Sequence, residues 1–150
     1  MKKLNKKGFT LVELLAVIVI LALLIVVVAN TALPAMNKAK MNSLATYAQR
    51  MQEKARENFI AEGRTEATAY TIEKLTGSTN KQYKGYVVVG YDSSNNNYVA
   101  YAYILDYQNM YMVNGVSNVE NANVTKATSS TAFDTVVTSI SGLGSVTKAN

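Results

Sequence analysis

Apolar and polar positions along the chain fall into blocks of very different period. Residues 1–8 (MKKLNKKG) are polar, and half of them are Lys. Phe9–Ala29 follows as 21 residues interrupted only by Thr10 and Glu13, and Leu14–Ala29 is an unbroken apolar run of 16. Crossing a hydrocarbon core takes about 20 largely apolar helical residues, so this block predicts a membrane-spanning helix. Lysines ahead of a first apolar segment hold that end in the cytoplasm. Ala35–Glu62 then contains no Gly or Pro and is rich in good helix formers. Leu44, Tyr47, Met51, Ala55 and Phe59 recur there at steps of three or four, giving one apolar stripe that Met36 extends. Gly63 is a natural stop. A single helix from Phe9 to Glu62 would be about 80 Å long.

Past Gly63 the period changes. Residues 64–77 read as transitional, with one short helical turn over Thr71–Leu75. Strands are predicted at Tyr86–Tyr91, Tyr98–Asp106 and Met110–Val113, because polar turn-formers separate these β-rich runs. Asn114-Gly115 reads as a further turn. Alternation sends Tyr101 and Tyr103 to the face opposite Ala100, Ala102 and Ile104. Eight of the ten tyrosines lie between Tyr83 and Tyr111, and sheet stability through cross-strand aromatic pairs is the expected use. Residues 117–131 read as an exposed loop, with a weak glycosylation sequon at Asn123. Over 132–141, the spacing of Phe133, Val136, Val137 and Ile140 predicts a short helix ending near Gly142, with Thr131 and Asp134 as a capping pair; a strand is the alternative, for which the β-branched residues argue. Residues 145–150 are expected to fray.

Composition narrows the chemistry. The chain has no Cys and no His, which excludes disulfides, thiolate or imidazole metal sites and any Ser-His-Asp arrangement. The acids past Gly63 (Glu66, Glu73, Asp92, Asp106, Glu120, Asp134) are scattered and read as solvated surface, and no Gly-rich phosphate loop is present. The net charge of +5 belongs mostly to residues 1–8, which carry +4, while residues 63–150 hold six cations and six anions. No basic face is demanded, so no nucleic-acid partner is expected. The chain is expected not to be an enzyme and to need no cofactor or metal.

One string is more specific. Lys6-Lys7-Gly8-Phe9-Thr10-Leu11-Val12-Glu13-Leu14 resembles the class III signal of type IV pilins and pseudopilins. The resemblance implies that a membrane-bound prepilin peptidase cuts between Gly8 and Phe9 and N-methylates Phe9. It also implies that Glu13, one helical turn beyond the new amine, neutralises that charge within a chain or draws an incoming subunit into register. An ordinary secretory signal cut near Ala29 is the rival, and Gly8 and Glu13 fit it poorly; a carboxylate within a membrane helix costs about 2.5–3.5 kcal/mol. The family often carries a Gly and a Pro partway along the apolar segment. Here Ala22 stands at the early position and Pro34 falls about one turn later, so a kink or local melting is expected around Asn30–Pro34. Without Cys, the resemblance leans toward cysteine-free pilins, such as those of some Gram-positive bacteria, or toward pseudopilins of type II secretion. Some of the latter bind calcium, but Asp92–Asn97 offers one carboxylate, poor for such a site.

The expected protein is α+β and pilin-like: a long N-terminal helix, membrane-spanning and then amphipathic, packed against a small antiparallel sheet. The expected segments are a leader at 1–8, an apolar membrane and filament-core helix at 9–34, its amphipathic continuation at 35–62, and a globular head at 63–150. The resemblance implies a structural subunit of an extracellular type IV pilus, serving adhesion, surface motility or aggregation. Its partners would be identical chains in a helical filament, the prepilin peptidase, membrane-bound assembly machinery, and lipid before assembly. It would be a single-pass membrane protein first and part of a surface pilus afterwards. Alternatives are a pseudopilin of a secretion or DNA-uptake system and a Sec-secreted binding module.

Overall fold

Helix α1, Leu11–Ala61, dominates the computed structural model, which describes residues 9–129 and 133–149. By its own contacts the chain divides into two units, one ending at Asn37 and the other beginning at Lys38. In the first unit, α1 buries nothing. Eighteen large apolar side chains from Phe9 to Met36 are exposed, from 47% at Val17 to 86% at Phe9. The helix is continuous through Pro34, so the local melting expected around Asn30–Pro34 does not occur. Proline removes one backbone donor, and the neighbouring Thr31 hydroxyl turns inward, donating to Val27 O at 3.1 Å.

In the second unit, α1 presents Leu44, Ala48, Met51, Ala55 and Phe59 to a six-stranded sheet. The strands are β1 (Thr68–Thr71), β2 (Tyr83–Asp92), β3 (Asn97–Asp106), β4 (Tyr111–Val116), β5 (Thr125–Lys126) and β8 (Thr147–Lys148), ordered β5-β4-β3-β2-β1-β8. Neighbours are antiparallel except β8, which runs parallel to β1. A separate two-stranded ladder joins β6 (Ser139–Ile140) to β7 (Gly144–Ser145). Val87 and Val89 face the helix while Tyr86 and Val88 join a second apolar cluster on the opposite face. That double burial explains why β2 reads as a continuous apolar run rather than an alternating one.

Gln52 is the polar exception in this core, 5% exposed. Its amide nitrogen donates to Ala100 O at 2.6 Å and to Val116 O at 2.8 Å. The β3–β4 register shifts between Ala102 and Tyr103, and Gln52 supplies donors to carbonyls left over near that interruption.

Four expectations change. Residues 133–141 form no helix: Phe133 has φ +72°, a conformation that helices do not accept, and Ser139–Ile140 is a two-residue strand. The apolar spacing instead serves a strap in which Phe133, Val137, Ile140 and Leu143 cover the outer face around Tyr86 and Tyr103; Thr131 lies outside the described residues. Residues 145–149 are not frayed, since Thr147 N–H donates to Ala67 O (2.8 Å), Ala149 N–H donates to Ala69 O (2.9 Å) and β8 covers the edge of β1. Asn150 lies outside the described residues. The 117–129 stretch is pinned rather than loose. It contains a 3₁₀ turn at Asn121–Asn123, it buries Val119 and Val124, and Gln49 donates to Val119 O at 2.6 Å. Asn114-Gly115 is no turn but part of β4, where Gly115 at φ +66° leaves room for the Tyr103 ring. Strand β1 is not among the expected strands, and the helical turn expected at Thr71–Leu75 is α2, Ile72–Thr76, shifted by one residue and capped by the Thr71 hydroxyl.

Backbone crowding is sharpest at Gly85, whose φ is +128° and where an added Cβ would lie 2.0 Å from Tyr103 O. Gly63, with φ +61° and nothing within 4 Å, ends α1 in open space. Gly85→Ala should therefore cost more than about 3 kcal/mol and Gly63→Ala about 1 kcal/mol, compared by chemical denaturation of the full chain in detergent. Tyr70 is fully buried and donates to Glu62 at 3.0 Å. Burial, and then that bond, push its pKa from 10.0 to about 12. A raised folded-state pKa favours the protonated form. Stability should hold below pH 10 and fall as pH rises toward about 12, with tyrosinate absorbance appearing together with unfolding.

Candidate processing and assembly site

The start of α1 is built by two side chains. Thr10 sits one residue ahead of the helix, and its hydroxyl oxygen accepts from Glu13 N–H at 3.3 Å. Glu13 Oε2 reaches back and accepts from both Thr10 N–H and the Thr10 hydroxyl, each at 2.8 Å. Leu14 N–H donates to Thr10 O at 3.2 Å as the first bond of the helical ladder. This reciprocal pairing is a capping box. It satisfies donors that a helix N-terminus leaves orphaned, and a carboxylate there also opposes the helix dipole. Among the described residues the other carboxylate oxygen, Oε1, accepts no bond.

The Thr-x-x-Glu spacing of the capping box was legible in residues 10–13 but went unread as a cap. Beside the pairing with an amine that the resemblance implies, Glu13 has a local role, which occupies one oxygen of its carboxylate. Phe9, next to the box, is 86% exposed. Gly8 and the rest of the leader lie outside the described residues. Pro34 sits well along α1 from the box.

Residues 3–29 match the family model of the prokaryotic N-terminal methylation motif. The chain carries a class III prepilin signal. The match spans the basic leader, the capping box and the apolar run, and it leaves residues 30–150 to be judged on their own structure. No curated protein and no solved structure matches the chain. The signal and an apolar helix long enough to span a bilayer together fit a membrane-anchored precursor of type IV pilin or pseudopilin kind.

The other candidate regions offer less. Tyr86 and Tyr103 stack at 4.9 Å and lie under the 133–146 strap, with Tyr86 OH accepting from Val137 N–H at 3.1 Å. They stabilise the sheet and present no open aromatic row. Asp106, read as surface, is 1% exposed and accepts from Gln108 N–H, Asn109 N–H and Asn109 Nδ2, so it holds the β3–β4 turn. Asp92 accepts from Ser94 N–H and Asn95 Nδ2, and those bonds lower its pKa; its oxygens order their own loop. The Asn123 oxygen accepts from Glu120 N–H within the 3₁₀ turn.

Thr10→Val keeps the shape but loses both hydroxyl bonds of the box. Replacing such a cap typically costs about 1 kcal/mol. Amide exchange at Val12, Glu13 and Leu14 should quicken about fivefold in micelles, an interval that 1 kcal/mol sets, while the amides of β2 keep their rates.

Proposed function

We propose that this chain is a prepilin whose mature form is the structural subunit of an extracellular type IV pilus. The observation that carries this reading is the coincidence of the methylation motif at residues 3–29 with a helix that leaves its apolar residues bare. Fully burying one large apolar side chain contributes about 1.5–3 kcal/mol, so eighteen of them demand lipid or protein. Lipid meets that demand before assembly, and copies of the same helix meet it afterwards.

In this reading residues 1–8 are removed as a leader and Phe9 becomes the N-methylated terminus. Residues 9–34 form the filament core, 35–62 continue the helix, and 63–150 form the outward head. Cleavage leaves a cation at Phe9 beside the capping box. The free oxygen of Glu13 is then available to that amine or to the amine of an incoming copy, an attraction that strengthens as water is excluded. Pro34 provides a point where α1 can kink during packing. The role is structural, with no catalytic group; partners are identical chains, the prepilin peptidase and the membrane machinery that polymerises them. Adhesion, surface motility or aggregation follow from a surface filament of this kind.

Intact mass and N-terminal sequencing of the protein from the native envelope and from sheared surface material test this directly. The expected chain begins at N-methylated Phe9 and is recovered in surface filaments. A chain beginning near Asn30 would mean that the apolar helix is discarded after secretion, and the filament reading would fail.

A further inference from the structure

The sheet carries an apolar cluster on each face, and the two are covered differently. Leu44, Ala48 and Phe59 of α1 close the inner cluster over Val87, Val89, Ala102 and Ile104, all of them buried. The outer cluster is Ala67, Ala69, Tyr86 and Val88, each 4% exposed or less. Its cover is the segment 133–146, whose Phe133, Val136, Val137, Ile140, Leu143 and Val146 are themselves only partly buried. Ala149 is the one apolar side chain described past Phe133 that reaches the inner cluster. A cover one segment thick buries the sheet beneath it but not itself.

This cover is organised within itself. Ser139–Ile140 pairs with Gly144–Ser145, Val146 N–H donates to Thr138 O at 2.9 Å, and Leu143 N–H donates to Ile140 O at 3.0 Å. Gly142 and Gly144, at φ +86° and +80°, take the left-handed backbone that this tight turn needs on either side of Leu143. Leu143 meets the sheet where Gly90 leaves space: a Cβ added at Gly90 would lie 3.0 Å from both Leu143 methyl carbons. Among the described residues, the bonds to the sheet gather in two places. Val137 N–H donates to Tyr86 OH at 3.1 Å. Farther on, Thr147 N–H and Ala149 N–H donate to Ala67 O and Ala69 O, and the Thr147 hydroxyl lies 3.5 Å from that of Thr68.

We infer that residues 133–149 form a latch, caught by Leu143 in the space above Gly90, which opens as one unit while α1 and the central strands stay folded. A segment with few fully buried apolar groups opens at a lower free energy than the whole domain. The latch carries its internal bonds with it. Opening breaks only what joins it to the sheet: the Leu143 contact, the Tyr86 bond and the pairing of β8 with β1. It uncovers the outer cluster and the edge of β1, and a bare edge is a template for another strand. The closed latch keeps that template hidden. This device belongs to one chain and stands independently of the filament reading.

The chain has no native cysteine, so a single introduced thiol reports on one place. Ala69→Cys lies under the latch and Ala102→Cys under α1, and both alanines are fully buried. Each full-length variant would meet dithiobis(nitrobenzoate) in detergent micelles, the charge of the reagent keeping it in water. The A69C thiol should react about 100-fold faster than A102C. Its rate should hardly change in low urea, whereas A102C should show the steep dependence of global unfolding. Ile104→Val loosens the inner cluster alone, so it should speed A102C about fivefold and leave A69C within about twofold. Leu143→Ala should speed A69C about tenfold or more. Amide exchange of the unaltered chain gives a reading without any thiol: Val146, Thr147 and Ala149 should exchange together and faster than the amides of β2 and β3. Equal rates and urea dependence at the two thiols would overturn the latch. So would an A69C rate that follows Ile104→Val, an A69C rate unmoved by Leu143→Ala, or latch amides that exchange no faster than those of β2 and β3.

Discussion

One helix serving two different surroundings is the constraint on which the rest of this protein depends. Up to Asn37, α1 offers apolar side chains on every side; from Lys38 onward it offers one apolar stripe and a polar, cationic remainder. Water cannot satisfy the first arrangement. The start of the helix answers to that with a cap that ties up its first amides and a carboxylate that accepts two of the bonds. In a medium without water each unbonded backbone group would cost several kcal/mol. A capping box is therefore worth more at Thr10 and Glu13 than it would be on a soluble helix.

The second unit solves a different problem, a small sheet without a disulfide to hold it. Three devices do so. Phe59, Leu44 and the small residues Ala48 and Ala55 bring α1 close to the inner face. Gln52 reaches across to the carbonyls left where β3 and β4 lose register. The segment after residue 133 covers the outer face and ends by adding β8 to the edge of β1. Edge strands invite unwanted pairing, and β5 and β8 blunt both edges of this sheet with two-residue strands.

Parts of this were legible beforehand. The stripe from Leu44 to Phe59, the stop at Gly63 and the three central strands stand close to their expected positions, because each depends on a local period or a local breaker. The site was legible as a string, Gly8-Phe9-Thr10-Leu11-Val12-Glu13, although the cap inside it was not recognised. The misses share a cause. Phe133 to Ile140 has helical spacing, yet contact with Tyr86 and Tyr103 across the sheet decides its shape. Asn114-Gly115 has turn chemistry, yet the Tyr103 ring uses the space that Gly115 leaves.

By itself, the sequence determined which stretch is long and apolar enough to span a bilayer, where the methylation motif lies, and which faces of the central helix and strands turn inward. Those properties are set by residues within a few positions of one another, over distances at which hydrophobic period, charge and backbone propensity act directly. Tertiary structure alone decided how the C-terminal strap closes and why Asp106 and Gln52 are buried. These depend on pairs separated by dozens of residues, such as Thr147 with Ala67 and Gln52 with Val116. Such pairs exist only once folding has offset the entropy of bringing them together.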